Sequence, residues 1–306
     1  MLTECKGKAL QEVIYDADHA FEVATVPLQL PNGAVVPDKM ATVRKDTGAY
    51  LGTVGQGYEI VQPQKFYELA DAFMRETGAT INGAVTLKNS AVIGLSLCVD
   101  TREYLPGDPV RLNFLMVTSF NMRYSIIGRA LSVRLFCLNQ LPSSSSLFDI
   151  KHTRYAEPRL DMALRMIAYY YKEQIRFDQW MKSLVKYPMS ERVMIAWFTD
   201  LFPNPKGDSK RGSTILDNNV ETFTRLLSEG AGVNVPGLKG TGYHALNALT
   251  EYVNHHRSTR VKNGRKENEV KWESTLFGSG NALMQKGFGR LIEMVKTEPS
   301  GKYIAG

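Results

Sequence analysis

The sequence predicts an α+β fold: a mostly antiparallel sheet with a packed helix in the N-terminal half, and a helical C-terminal half. Three observations carry this. Up to about Leu141, short apolar runs alternate with turn signals. Pro142-Ser143-Ser144-Ser145-Ser146 then breaks the pattern. Beyond it, apolar residues recur at three- and four-residue spacing, as on a helix face. The expected organisation is a β-rich domain over 1–141, a flexible linker over 142–154 and a helical portion over 155–306, packed with the first or separate from it.

The elements follow in order. Asp46-Thr47-Gly48 is a turn signal after the alternation of Met40, Thr42 and Arg44. It opens an edge strand, and Gly55 and Gly57 then mark a kink before an expected second strand. Pro63 suits the first turn of a helix over 64–77, and Gly78 suits its C-terminal cap. Residues 80–88 and 91–99 read as a hairpin about the turn Lys88-Asn89-Ser90. Further strands are expected over 110–119 and 126–138, with Leu105-Pro106-Gly107-Asp108-Pro109 as a loop. In the last of these strands Leu131, Val133, Leu135 and Cys137 form the core-like face. Arg134 then points to the other surface, as on a groove floor. Helices are expected over 157–186, with Leu160, Leu164, Ile167, Tyr171, Ile175 and Trp180 as its apolar face, and over 190–201, with Ser190 as N-cap. Three more are expected over 214–229, 242–259 and 272–296, with a loop over 203–209 and a frayed tail at Pro299-Ser300-Gly301.

A chain of 306 residues with 43% hydrophobic and 22% charged residues is ordinary for a globular protein and buries a core without staples. It has no apolar run long enough to span a bilayer and no apolar signal core at its N-terminus, so a cytoplasmic location is expected. Three scattered cysteines, Cys5, Cys98 and Cys137, read as reduced thiols. The net charge of +6 favours an anionic partner, nucleic acid first.

Two stretches carry a family resemblance. Arg134-Leu135-Phe136-Cys137-Leu138-Asn139-Gln140-Leu141 fits an Arg-x-x-Cys-x-Asn-x-Leu signature. Ala245 to Arg257, ALNALTEYVNHHR, followed by Phe277-Gly278-Ser279-Gly280, fits a C-terminal one. With the Gly48 to Pro63 stretch, these blocks resemble the phage- and plasmid-borne domain-of-unknown-function 932 family, of the prophage YafZ and YfjQ type. Asn121-Met122-Arg123 stands where a His-Asp-Gly-type turn is expected. The resemblance implies a mobile-element setting and no particular chemistry. In element order alone the chain also resembles single-strand annealing proteins of the Rad-fifty-two and phage Red-beta/Erf type. That likeness implies ATP-independent annealing by an oligomeric ring or filament.

Phe114, Phe120, Tyr124 and Phe136 interleave with Arg111, Arg123, Arg129 and Arg134. Rings that stack on bases beside guanidiniums that hold phosphates suit single-strand binding; the same rings also suit a sheet core. Arg111, Arg123, Arg129 and Arg134 are the expected backbone-contacting groove, with Tyr124 as a stacking ring. Lys210, Arg211, Arg257 and Arg260 are second candidates. His255-His256 reads as a cationic helix end, since adjacent helical residues face about 100° apart. Gly52-Thr53-Val54-Gly55-Gln56-Gly57 lacks the Lys-Ser/Thr ending of a phosphate loop. No catalytic motif or metal spacing is present, so no enzyme activity and no cofactor is expected. The expected function is single-stranded DNA binding and annealing in recombination or replication by a homo-oligomer. The alternative is a protein-interaction module, such as a counter-defence factor, whose basic surface meets an acidic protein.

Overall fold

The computed structural model describes residues 2–5, 7–135, 137–143, 146–202, 210–261 and 265–297; side chains 2–4, 161, 164, 167, 168, 210 and 211 are not described. The fold is α+β, with antiparallel sheets in the N-terminal half and helices in the C-terminal half. The chain forms two compact units, and they are interleaved along the sequence. The first comprises Met1–Asp100, Leu112–Leu131 and Ser145–Lys172; the second comprises Thr101–Arg111, Ser132–Ser144 and Glu173–Gly306. This differs from the sequential division at 141 and 155, because the chain passes between the units within its long strands.

The strands are β1 (Leu2–Glu4), β2 (Val23–Gln29), β3 (Val35–Arg44), β4 (Tyr50–Gly55), β5 (Thr80–Leu87), β6 (Val92–Glu103), β7 (Pro109–Ser119), β8 (Ile126–Arg134), β9 (Asn139–Pro142) and β10 (Phe148–Ile150). In the first unit β2, β3 and β4 form a three-stranded sheet, and β1-β5-β6-β7-β8-β10 is the order of the larger one. The hairpin β3–β4 turns at Gly48, whose φ of 70° suits glycine. β4 is an edge strand as expected, but 56–62 is irregular and forms no second strand. The β5–β6 hairpin pairs Leu87 with Val92. Its turn holds Lys88, Asn89 and Ser90 all at positive φ. β10 lies within the expected linker, paired antiparallel with β8.

Helices α1 (Leu10–Asp16), α2 (Pro63–Thr77) and α3 (Ala156–Leu164) belong to the first unit. Gly78 caps α2 at φ 71°, its N–H bonded to the Met74 carbonyl. The core between α2 and the sheet holds Phe66, Phe73, Leu95, Phe114, Met116, Phe120 and Tyr170. Phe73 and Phe114 stack at 4.2 Å. Under this core His19 is buried with a complete polar circuit. Tyr67 Oη bonds its Nδ1, and its Nε2 meets Thr86 Oγ1 at 2.7 Å. Thr86 Oγ1 donates in turn to the Ala17 carbonyl, so the ring is the neutral Nε2–H tautomer. Burial pushes its pKa down to about 4.

The region expected as one helix over 157–186 breaks at Arg165 and Met166 into α3 and α4 (Ile167–Lys186). Of the expected apolar face, Leu160 is buried and Trp180 packs against the core of the second unit, but in the first half of α4 the face is shifted: Tyr170 is buried, while Tyr171 and Ile175 are exposed. The second unit contains α5 (Glu191–Thr199), capped by Ser190, and α6 (Lys210–Glu229), α7 (Gly242–Glu251), α8 (Glu267–Phe277) and α9 (Ser279–Thr297). Its core gathers Trp197, Phe198, Phe223, Tyr243, Leu249, Met284 and Leu291, with Phe198 and Phe223 stacked at 4.1 Å. Two expected long helices are divided. The 242–259 helix gives way at Tyr252–His256 to a π-helical turn closed by Arg257 N–H on the Tyr252 carbonyl at 2.7 Å. The 272–296 helix is interrupted at Gly278, between α8 and α9. The expected loop 203–209 and tail 299–301 lie outside the described residues.

Candidate nucleic-acid interface

In the first unit the end of β7, the start of β8 and the end of β10 meet at one edge of the sheet, with Ile150 opposite Ile126. The turn 120–125 at this edge is tied from several sides. The Phe120 N–H bonds the Ala91 carbonyl at 2.8 Å, and the Phe120 carbonyl accepts from Thr42 Oγ1 at 2.6 Å. Ser119 Oγ accepts from the Tyr124 N–H and donates to the Tyr124 carbonyl, each at 2.8 Å. Gly52 of β4 lies against the turn: a Cβ there would stand 2.4 Å from Asn121 Cβ and 2.7 Å from its Cα. That close approach accounts for the first glycine of the Gly52 to Gly57 stretch.

The neighbouring segment after β10 is fixed by an aromatic stack. Tyr58 lies on His152 with ring centroids 4.9 Å apart and donates to the Ser119 carbonyl at 2.8 Å. His152 Nε2 meets Thr118 Oγ1 at 3.1 Å, and burial pushes the His152 pKa down to about 4. This buried base holds both ends of the edge together.

Two arginine–tyrosine pairs stand on this scaffold. The Arg123 guanidinium lies 5.8 Å from the Tyr124 ring centroid, with Nε 3.4 Å from Tyr124 Oη. The Arg154 guanidinium lies 4.8 Å from the Tyr155 ring, with Nη2 2.7 Å from its hydroxyl. Arg123, Arg154 and Tyr155 are exposed and Tyr124 is half-buried. Lys151 adds an exposed cation; Asp149, which accepts from Ser125, and Glu59 are the exposed acids beside it. Such an edge presents ring faces for stacking and guanidiniums for phosphate oxygens.

The sequence-predicted residues are distributed more widely. Arg123 and Tyr124 lie on this edge. Arg129 is 9% exposed; burial pulls its guanidinium below its ordinary value, against the attraction of Asp149. Arg134 is 4% exposed and contradicts the groove-floor expectation. Its Nε bonds Asp108 at 2.7 Å and its Nη1 bonds the Ala231 carbonyl at 2.8 Å. Tyr243 donates to the second Asp108 oxygen at 3.0 Å, so Arg134 is a buried structural cation of the second unit. The physical reason is that β8 stops at Arg134 and is buried on both faces there, so alternation does not separate a wet side from a dry one. Phe114 and Phe120 are core, and Phe136 lies outside the described residues. Arg111 is half-buried in the second unit. Lys210 and Arg211 lie in the first turn of α6 with their side chains outside the described residues. Arg257 is half-buried and donates to Ser279 Oγ at 3.1 Å, and Arg260 is exposed. Sequence reasoning missed Arg154 and Tyr155. The available signal was the repeated Arg-Tyr dipeptide, at 123–124 and 154–155.

A cleft of about 1060 Å³ elsewhere in the first unit has a different character. Among its described lining residues Glu22, Asp46, Glu68 and Asp71 outnumber the cation Lys45, an arrangement that repels phosphate. Among the described residues no group of three or more His, Cys, Asp or Glu side chains is placed to hold a metal ion. Among them, too, no helix is long and apolar enough to cross a membrane.

The family model described as Domain of unknown function (DUF932) matches residues 50–276. The chain belongs to the DUF932 family. No curated protein and no solved structure matches it significantly. The DUF932 match covers the whole Arg–Tyr edge and leaves out His19, Glu22 and Asp46. Two of the sequence blocks that suggested this family meet in the second unit. His255 Nε2 donates to the Cys137 carbonyl at 2.9 Å, and Asn254 Nδ2 donates to the Gln140 carbonyl at 3.0 Å. Glu251 accepts the Ala231 N–H beside the carbonyl that Arg134 holds. These blocks therefore build one polar framework.

Proposed function

We propose that this DUF932 protein is a cytoplasmic, oligomeric single-stranded DNA-binding protein of a mobile element, and that it anneals complementary strands without ATP. The observation that supports the reading is the pair of arginine–tyrosine contacts at one edge of the sheet, at Arg123–Tyr124 and Arg154–Tyr155. Stacking on a ring face needs an unpaired base, which a duplex does not offer, so the edge favours single strands. Phosphate contacts by Arg123, Lys151 and Arg154 give affinity a salt dependence through counterion release.

The test is anisotropy of labelled single- and double-stranded DNA across a salt series, on protein sized by light scattering. The reading predicts oligomers that prefer single strands, with a slope of log affinity on log salt of about −2 for three phosphate contacts. Equal affinity for duplex, or none at low salt, overturns it. The second reading, a protein-interaction module, draws on the exposed Met162, Tyr169 and Tyr171 of α3 and α4. It predicts no strand preference.

A further inference from the structure

The π-helical turn Tyr252–His256 gathers cations from three elements of the second unit. His255 and His256 are exposed at its end, and Arg257 follows directly. Lys271 of α8 donates to the His255 carbonyl at 2.7 Å. Arg257 donates to Ser279 Oγ at the start of α9. Arg225 of α6 also acts electrostatically on His256, as do His255 and Lys271. Among the described residues, the acids near the group include Glu251 of α7, which is buried and already accepts the Ala231 N–H, Glu267 of α8, which acts on Lys271, and Glu221 and Glu229 of α6, one turn either side of Arg225.

Local geometry and charge point the same way. A π-helical turn is rare, and such turns recur at functional sites. Here it replaces the regular end of a helix where two histidines and an arginine stand in succession. His255 is oriented by its bond to the Cys137 carbonyl, which leaves Nε2 as the donor. Three permanent cations and two titratable ones stand together here; among the described residues the acids near them are buried Glu251, exposed Glu267, and Glu221 and Glu229 one turn either side of Arg225, so the donors converge at the turn itself. A single-charged phosphodiester underuses it, whereas a phosphate dianion with several acceptor oxygens matches its number of donors.

We infer that the π-helical turn, with Arg225, His255, His256, Arg257 and Lys271, is a binding site for a dianionic phosphate group, either inorganic phosphate or a phosphate monoester. The inference is independent of the single-strand reading of the first unit. It assigns to Arg257 a role other than contact with a strand backbone.

His256 supplies the readout. Its imidazole titrates below the ordinary histidine value, first through partial burial and then through the repulsion of Arg225, His255 and Lys271, against the pull of Glu251. A bound dianion offsets that repulsion and raises its titration midpoint. The experiment is an NMR titration of the histidine C2–H signals of the full chain, with His256→Gln to assign the resonance. It is run in chloride, in inorganic phosphate, in a nucleoside 5′-monophosphate and in a dinucleoside diester, all at one ionic strength. The His256 midpoint is expected to rise by about one pH unit with phosphate or monoester over chloride. The rise should disappear in Arg257→Ala and in Lys271→Gln. Phosphate alone producing it identifies the free ion as ligand; the monoester also producing it identifies a terminal phosphate. An unmoved midpoint in both, or an equal rise with the diester, overturns the site.

Discussion

Arg123 and Arg134 are eleven positions apart and carry the same charge, yet their environments are opposite. Arg123 is exposed on a turn with its guanidinium beside a ring. Arg134 is enclosed by Asp108 and the Ala231 carbonyl, and Asp108 itself is fully buried. Removing Arg134 leaves a buried carboxylate without its charge partner, which costs about 3–5 kcal/mol. Arg134→Ala is therefore expected to lower the thermal midpoint markedly, as differential scanning fluorimetry will read. Whatever folded protein remains should keep its affinity for single strands. Arg123→Ala should do the reverse, with stability within about 0.5 kcal/mol of the parent and a shallower salt dependence by about one phosphate contact.

The turn 120–125 is an element whose position depends on what is missing from β4. Gly52 meets Asn121 so closely that an added methyl must displace the turn or the strand. Gly52→Ala is expected to cost about 1–3 kcal/mol as an overpacked site, and to weaken strand binding by moving Arg123 and Tyr124. Urea unfolding and anisotropy on the same variant check both effects. This dependence was only partly legible in the sequence. Sequence pattern placed a bulge or close approach at Gly55 and Gly57, where a Cβ would meet nothing within 4 Å; the tight contact falls at Gly52, and its partner turn lies some seventy residues away, which local pattern does not name. The hairpins and α2 were legible because Gly48, Lys88-Asn89-Ser90, Pro63 and Gly78 act through local backbone geometry. The ends of helices were less so. The π-helical turn after Glu251 arises within a continuous apolar pattern, while the break at Gly278 is local: Gly278 and Gly280 both bond back to Ser274, and the Gly-Ser-Gly run was its available signal. Arg154 and Tyr155 were missed because the expected linker ran to 154, whereas β10 pairs with β8 over 148–150 and α3 begins at Ala156, which leaves the two residues at an ordered junction.

Across the whole molecule, three buried histidines tie folding to pH: His19, His152 and His244, the last also held below its ordinary value by burial. His19 and His152 both have folded pKa values near 4 through burial, below the ordinary histidine value of about 6.5. The unfolded chain therefore binds protons that the native chain refuses between these values. Stability is full above about pH 6.5 and is lost as pH falls towards 4, by up to roughly 3 kcal/mol per histidine. Unfolding free energies from urea titrations between pH 7.5 and 4.5 should fall with a slope of about two protons or more, His244 adding to the pair, and His152→Gln should remove about one proton of that slope. A flat profile contradicts the burial of these rings.

The most direct test of the central claim, that the Arg–Tyr edge binds single strands, is the affinity of Tyr124→Ala/Tyr155→Ala for a labelled single-stranded oligonucleotide, measured beside its thermal midpoint. Both rings reach solvent, and the backbone bonds of Tyr124 to Ser119 survive the substitution. Loss of two stacking platforms, each worth about 1–3 kcal/mol, predicts at least a tenfold drop in affinity with an unchanged midpoint. Unchanged affinity in a folded double variant contradicts the claim.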